Sequence, residues 1–344
     1  MDKWRRIYFL LPTFRPMGGM VRDLCFAHHA LTLGYEPVVC CIHPYGRNLP
    51  IFNIPRLSEL SPENGIRFAD PHNIVVGPGD LAFFCGVGMY EILQHRLSRW
   101  TRHEQVIQAV RGIRPTDPSY TDGYALRLLT RPMARMVTND IVLEAVRPYL
   151  PAGSFTEVIK VGHDTEFFSK KRAGGLGAPV KVAYTTWKSG VGDRVASRLR
   201  GSGFEFRAIR EQATWEELRG LYHWADVFLA TPLVQEGFYL PGLEAMAAGN
   251  IVLTPDVGGN RTYCRFGENC LLVNWEDESS YVGALKRLAS ESPEDIEKMR
   301  HRGYETLRDH TWEREERQFG GFLERLTARL DGLGPMPGPM PGRP

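Results

Sequence analysis

The sequence predicts an α/β protein with two parallel-sheet domains. Apolar, strand-like segments alternate with helical segments along most of the 344 residues, as a parallel sheet flanked by helices requires. A segment rich in charge, glycine and proline at 169–179 interrupts this alternation. The chain is long enough for two hydrophobic cores. We therefore expect two lobes joined near this segment.

The first half opens with a βαβ unit. A strand at 6–12, a helix over about 20–33 and a strand at 36–42 follow one another, with Gly34 as the cap of the helix. The alternation continues through apolar stretches at 73–76, 81–85 and 106–110 and a helical region over 124–147. These segments define a first domain at 1–168.

The second half repeats the pattern. Strands are expected at 180–187, 204–209, 226–231 and 251–255, and helices at 191–201, 276–288 and 293–308. Thr214 and Glu217 have the spacing of a capping box and predict a helix start between the second and third of these strands. We assign 180–310 to the second domain and 311–331 to a helix that returns to the first domain. The Pro- and Gly-rich stretch 332–344 is predicted to be disordered.

Composition narrows the class of protein. Hydrophobic residues make up 43% and charged residues 24% of the chain, and no apolar run approaches the ~20 residues that a membrane helix needs. The net charge of +2 gives little attraction for nucleic acid. The six cysteines contain no CxxC pair, which favours reduced thiols in a cytoplasmic protein. The His28–His29 pair has no metal-binding partner pattern, and no cofactor is expected.

Residues 236–249, EGFYLPGLEAMAAG, carry the strongest functional signal. Glu236 lies on the loop that leaves the strand at 226–231, and Pro241 fits the first turn of a helix that ends at Gly249. Glu244 therefore lies near the start of that helix. Ligands of open α/β sheets bind at the carboxyl ends of the strands, and helix starts favour anions. We expect an anionic ligand here.

This segment, continued as NIVLTPDVGG, resembles the motif of the retaining GT-B glycosyltransferases of the GT4 type. Supporting similarities are Gly18–Gly19, VGHDTEFF at 161–168 and HWADVFLATP before the motif. The resemblance covers nearly the whole chain. It implies the GT-B fold, in which two Rossmann-like domains face each other across a cleft, with the acceptor on the first domain and a nucleotide-sugar donor on the second.

The resemblance also implies roles for residues of the motif. Glu236 would hydrogen-bond the donor sugar, and the backbone N–H groups of Gly237, Phe238 and Tyr239 would approach the sugar and diphosphate. Glu244 would hold the ribose; the alternative is a structural carboxylate in the first turn of a helix. Tyr239 stands where relatives commonly have glycine, so it would place a ring near the donor and alter specificity or simply pack.

Other predicted donor contacts lie outside the motif. Lys188 and Arg194 would neutralise the leaving diphosphate, although their local order differs from the usual pattern and Arg194 equally fits a solvated helix residue. Gly18 and Gly19 would border the diphosphate, and Ile209 would meet the nucleobase. Arg111 is assigned to the acceptor side, with an ion-paired loop arginine as the alternative. No acid follows Gly258–Gly259, where relatives often have one.

The function implied is a retaining, metal-independent hexosyl- or glycosyltransferase with Lys188 and Glu236 as catalytic residues. Its partners would be a nucleotide sugar and a glycan, lipid-linked or small-molecule acceptor. One rival is a non-catalytic glycosyltransferase-like partner protein, and another is a sugar-nucleotide epimerase or phosphorylase on the same fold. A third possibility is peripheral contact with the inner face of the membrane through arginines 127, 131 and 135 and Lys170–Lys171–Arg172. The three arginines equally fit a solvated helix face over a core.

Overall fold

The computed structural model describes residues 4–15, 17–43, 50–211 and 213–334. The chain divides into two compact units. The first comprises residues up to Lys160 together with those from Glu315 onward, and the second comprises Val161–Arg314.

The unit boundary differs from the predicted linker at 169–179, because that segment packs on the second unit. The guanidinium of Arg172 donates hydrogen bonds to the carbonyls of His223 and Ala248, at 2.5 and 3.0 Å, and lies 3.2 Å from the Asp226 carboxylate. Residues 161–168, predicted as the end of the first domain, also belong to the second unit.

The first unit contains a parallel sheet, which has seven strands within the described residues, in the order β3-β2-β1-β4-β5-β6-β7. The strands are β1 (Arg6–Thr13), β2 (Glu36–His43), β3 (Arg67–Ala69), β4 (Asp80–Phe84), β5 (Val106–Val110), β6 (Ala134–Val137) and β7 (Thr156–Val158). The helices of this part are α1 (Gly18–Thr32), α2 (Val87–Leu93), α3 (Tyr124–Leu129) and α4 (Asp140–Val146). The predicted first βαβ unit is confirmed, with Leu10 in register with Cys40.

The predicted helical region over 124–147 contains two helices, α3 and α4, but the strand β6 between them was not predicted. Arg135 lies on β6 and is fully buried. Its guanidinium donates to carbonyls of the α3 end and the following turn, at 2.8–2.9 Å, and burial lowers its pKa to about 10. Carbonyls at a helix end have no partner within the helix, so Arg135 serves as the cap of α3. Arginines 127, 131 and 135 therefore do not share a helical face, and the membrane-surface interpretation of that face is wrong.

A search of the described residues finds no helix that is both long and apolar enough to span a membrane.

The second unit contains another parallel sheet, with five strands among the described residues, in the order β12-β11-β10-β8-β9. The strands are β8 (Val180–Thr185), β9 (Phe204–Ile209), β10 (Val227–Leu229), β11 (Ile251–Pro255) and β12 (Cys270–Val273). The helices are α5 (Thr165–Phe168), α6 (Val191–Arg198), α7 (Trp215–Trp224), α8 (Leu240–Ala247), α9 (Glu278–Leu288) and α10 (Pro293–Leu307). Buried residues of β8, β10 and β11 pack against Tyr281 and Leu285 of α9.

Two local predictions for this unit are confirmed. The Thr214 side chain accepts a hydrogen bond from the Glu217 amide, and the Glu217 carboxylate accepts one from the Thr214 amide at 2.7 Å, which completes the capping box of α7. Gly249 follows α8 with a φ of +74°, a conformation that glycine adopts without strain.

The last helix, α11 (Trp312–Gly332), belongs to the first unit from Glu315 onward. The Phe319 ring lies 5.0 Å from that of Phe26 on α1, and Arg325 forms an ion pair with Glu157 at 2.6 Å. The fold-class prediction of a C-terminal helix that returns to the first domain is thereby met. Of the segment predicted to be disordered, Gly332 ends α11, and 335–344 lie outside the described residues.

Candidate active site

The carboxyl edge of the second sheet brings Lys188 and Glu236 together. Lys188 follows β8 and Glu236 lies on the loop after β10, and these strands are neighbours in the sheet. The Lys188 ammonium forms an ion pair with Oε1 of Glu236. Their side chains are 32% and 17% exposed, so the pair is partly open to solvent. The two residues predicted to be catalytic thus form one charged site.

Tyr239 supports Lys188 from within the unit and does not border open space. Its side chain is buried, and the Lys188 ammonium lies 4.9 Å from the centroid of its ring. The Tyr239 hydroxyl lies 3.5 Å from the amide of Thr231, and burial raises the pKa of this phenol above its usual value. The burial agrees with the alternative that Tyr239 packs, because the ring lies against the Lys188 ammonium. A contact of the ring with a donor stays a prediction.

The Gly-Gly turn after β11 allows two loops to touch. A Cβ at Gly259 would lie 2.6 Å from the Glu236 carbonyl oxygen and 2.7 Å from the Phe238 amide nitrogen. Real Cβ atoms do not approach backbone so closely, so glycine is needed for this contact. Gly259 therefore takes part in positioning the Glu236 loop, a role that the sequence reasoning missed.

Asn260 occupies the position where relatives often carry an acid. It is buried, and its amide donates to Thr254 Oγ1 at 2.5 Å. The Tyr263 hydroxyl lies 3.0 Å from Asn260 Oδ1 and 2.8 Å from the Tyr239 carbonyl. Asn260 and Tyr263 thus brace the start of α8, and no pattern in the sequence indicates this role.

The Glu244 carboxylate is buried and hydrogen-bonded within the second unit. The residue is 4% exposed, its Oε1 lies 2.9 Å from His163 Nε2, and its Oε2 accepts a hydrogen bond from the Tyr222 hydroxyl at 2.9 Å. His163 is itself buried and stacks on Phe168. These contacts make Glu244 a structural carboxylate, although it lies beyond the first turn of α8. The ribose contact stays a prediction.

Gly237 and Phe238, the two residues after Glu236, are packed into the second unit in different ways. Gly237 is buried. The Phe238 ring packs between Tyr263 and His310, at 5.1 and 5.2 Å, so this residue offers its backbone to the loop. The predicted approach of these backbone groups to a ligand stays a prediction.

Arg194 and Ile209 have contacts of their own in the second unit. The Arg194 guanidinium donates to the Glu276 carboxylate at 2.9 Å, which matches the alternative of a helix-surface residue. Ile209 ends β9 and lines a cavity of about 570 Å³ together with Glu211 and Trp224. A contact of Ile209 with a base remains a prediction.

In the first unit, Gly18 and Gly19 form the exposed start of α1. Arg111 donates to the Gly19 carbonyl at 2.5 Å and forms an ion pair with the buried Asp23. These contacts agree with the alternative prediction that Arg111 is an ion-paired loop arginine. The side chain also anchors the first turn of α1. Its assignment to the acceptor side has no support from these contacts.

Metal ligands do not cluster beside Lys188. Within the part of the chain that the structure describes, three or more potential ligands meet only at His28, His29 and Glu316 in the first unit.

Comparison with known proteins shows which families and structures the chain is similar to. Residues 189–291, which include Glu236, match the sequence model of the family described as Glycosyl transferases group 1. Among curated relatives, the D-inositol 3-phosphate glycosyltransferase of Corynebacterium urealyticum is 33% identical over 103 residues, covering 30% of this chain and 24% of that protein. The enzyme of the same name from Corynebacterium jeikeium is 40% identical over 73 residues, covering 21% and 17%. The chain thus matches about a quarter of these relatives' length or less.

Solved structures match nearly the whole chain. Sucrose-phosphate synthase from Thermosynechococcus elongatus aligns with a TM-score of 0.69 and 15% identity, covering 94% of this chain and 100% of its own. HepE of Anabaena, in complex with UDP-glucose, aligns with a TM-score of 0.68 and 12% identity, covering 93% and 99%. The fold is therefore GT-B, and the match over residues 189–291 makes that segment similar to the GT4 type. The resemblance inferred from residues 236–249 of this GT4-like chain is confirmed.

Proposed function

We propose that this GT4-like protein transfers a sugar from a nucleotide-sugar donor to an acceptor hydroxyl with retention of the anomeric configuration. The observation that supports the proposal is the Lys188–Glu236 pair at the carboxyl edge of the second sheet. This edge is where open α/β sheets bind their ligands. The pair joins a cation suited to a diphosphate and a carboxylate suited to sugar hydroxyls.

Lys188 stabilises the charge that develops on the leaving group. In the transfer, the bond between the sugar C1 and the diphosphate oxygen breaks, and a bond from C1 to the acceptor oxygen forms. The acceptor proton passes to the departing diphosphate. Because negative charge grows on that oxygen in the transition state, a fixed ammonium lowers the barrier. The reaction then needs no metal ion at the diphosphate.

Glu236 orients the sugar. A carboxylate accepts two hydrogen bonds from neighbouring hydroxyls of a pyranose. Its Oε1 is held by Lys188, so a bound donor shares or takes over that contact. Glu236 is a binding residue in this proposal and not a covalent nucleophile.

UDP-sugars are the first donors to test. HepE was crystallised with UDP-glucose, and the pneumococcal O-GlcNAc transferase GtfA, which aligns with a TM-score of 0.54, with UDP and GlcNAc. The curated relatives' name makes an inositol phosphate one acceptor of the panel, beside glycans and small-molecule aglycones.

The test is a mass-spectrometric transfer assay with UDP-, GDP-, ADP- and dTDP-sugars, with product configuration read by NMR. We expect Lys188→Ala and Glu236→Gln each to lower kcat by about 100-fold. The exposed residues Lys171 and Glu291 supply the controls Lys171→Ala and Glu291→Gln, which should keep wild-type activity. Full transfer by both site variants would refute the assigned roles.

The rival functions give different results in the same assay. Epimer formation without acceptor indicates an epimerase, and sugar phosphate formation with inorganic phosphate indicates a phosphorylase. If calorimetry detects binding of none of the nucleotide sugars, the non-catalytic partner replaces the proposal. An inverted product would overturn the retaining mechanism alone.

A further inference from the structure

Two neighbouring histidines on α1 meet a glutamate of α11. His28 and His29 are buried, and the Glu316 side chain is 23% exposed. One ligand atom from each of these three residues lies within 4.8 Å of the other two. The three residues form the α1–α11 cluster. It involves none of the residues assigned to sugar transfer.

One pair of ligand atoms in the α1–α11 cluster has the spacing of a tetrahedral site. Zinc binds imidazole nitrogen and carboxylate oxygen at about 2.0–2.1 Å, so two ligand atoms of a tetrahedral site lie about 3.3 Å apart. The distance from His29 Nδ1 to Glu316 Oε2 is 3.3 Å. These two atoms already have the separation of a zinc-ligand pair.

Further carboxylates orient the two imidazole rings. His28 Nε2 lies 3.0 Å from Glu59 Oε2, and His29 Nε2 lies 3.0 Å from Glu315 Oε2. Histidines that bind metals usually direct their other nitrogen at a carboxylate in this way, which fixes the ring and strengthens the ligand. Glu315 is in turn fixed by an ion pair with the buried Arg22.

Charge favours a cation at this position. Glu315 and Glu316 are neighbours on α11; Glu315 forms an ion pair with Arg22, and Glu316 lies against the histidines. A carboxylate that is largely removed from water is stabilised by a paired or coordinated positive charge. A divalent ion between Glu316 and the two histidines supplies it.

We propose that His28, His29 and Glu316 bind one zinc ion, with a water molecule as the fourth ligand, and that the ion ties the start of α11 to α1. Imidazole and carboxylate ligands suit zinc better than magnesium or calcium, which prefer oxygen alone. The partly exposed Glu316 gives the ion a route to the site.

The test is calorimetric titration of the chelator-treated full chain with zinc chloride, with Co²⁺ absorption as a probe of coordination. We expect one ion per chain and the intense visible bands of tetrahedral Co²⁺. His28→Gln and Glu316→Gln each remove a ligand and should weaken zinc binding at least about 100-fold. Glu59→Gln leaves all three ligands in place and should weaken zinc binding by about 10- to 100-fold.

The matched controls are His95→Gln and Glu324→Gln, which change exposed residues of the same unit and, for Glu324, of the same helix. Both should bind zinc as the wild type does. Circular dichroism of the metal-free variants checks their folding, and if His28→Gln does not fold, the more exposed Glu316 and Glu59 decide the outcome. Absence of stoichiometric binding, or equal binding by Glu316→Gln and Glu324→Gln, would overturn the proposal.

Discussion

Replacing Gly259 with alanine tests whether the turn after β11 sets the position of Glu236. The new Cβ would lie 2.6 Å from the Glu236 carbonyl oxygen and 2.7 Å from the Phe238 amide nitrogen. An ordinary contact needs about 3.4 Å, so the Glu236 loop and the turn must separate by about 0.8 Å. Both contacts are with backbone, so rotation of a side chain cannot relieve them.

A shift of this size affects catalysis more than folding. Misplacement of a catalytic group by about 1 Å costs up to about 100-fold in rate, whereas overpacking costs about 1–3 kcal/mol of stability. We therefore expect Gly259→Ala to lower kcat by about 10- to 100-fold and to remain folded at 25 °C. The measurement is kcat for sugar transfer, beside urea unfolding.

Gly283→Ala is the matched control. A Cβ at Gly283 on α9 would meet Arg287 at 3.5 Å, an ordinary contact with a flexible side chain. This variant should match the wild type in rate. Wild-type kcat in Gly259→Ala, with unchanged stability, would refute the idea that the turn positions Glu236.

Three further predictions concern single side chains. Arg135→Met should lower the free energy of unfolding by at least about 3 kcal/mol in urea titration, because several buried carbonyls lose their donor; a loss below about 1 kcal/mol would contradict the capping role. Tyr239→Leu should lower kcat more than Tyr239→Phe, because phenylalanine keeps the ring beneath Lys188. Both variants should prefer the same donor sugar as the wild type. A changed donor preference would show that Tyr239 faces the sugar. Hydrogen bonds to Asp193, above all the one from Arg210, lower the pKa of this carboxyl group from 3.8 to about 2. The ionised carboxylate therefore stabilises the fold above pH 3.8, and this stabilisation is lost as the pH falls toward 2. Asp193→Asn should remove this contribution to the pH dependence of the free energy of unfolding, which is less than about 1 kcal/mol because the Asp193–Arg210 pair is exposed. An unchanged dependence of unfolding on acid pH would contradict the prediction.

Local sequence signals accounted for most of the fold. The strand at 251–255 and the capping box of α7 are observed as predicted, because both depend on residues close in the chain. The region 124–147 failed because Leu128, Leu129, Met133 and Met136 keep helical spacing across the end of α3. Pro132 carried the opposing signal, since proline disfavours helix in the residue before it.

The site was predictable only in part. Lys188 and Glu236 are 48 residues apart, and their meeting followed from strand ends that share an edge of the sheet. The partners of Glu244 are 81 and 22 residues away, and no periodicity encodes them. The α1–α11 cluster was not predictable from periodicity either, because Glu316 lies 287 residues after His29.

The buried contacts of Glu244 have a consequence for comparing related proteins. Because this carboxylate holds α8 to His163 and Tyr222, its loss harms the fold whether or not a sugar is transferred. A related protein that no longer catalyses sugar transfer would still need Glu244 for its fold. The same protein could lose the ammonium of Lys188 without harm to the fold. Among relatives, variation at Lys188 is therefore a better marker of lost activity than preservation of the acidic pair at 236 and 244.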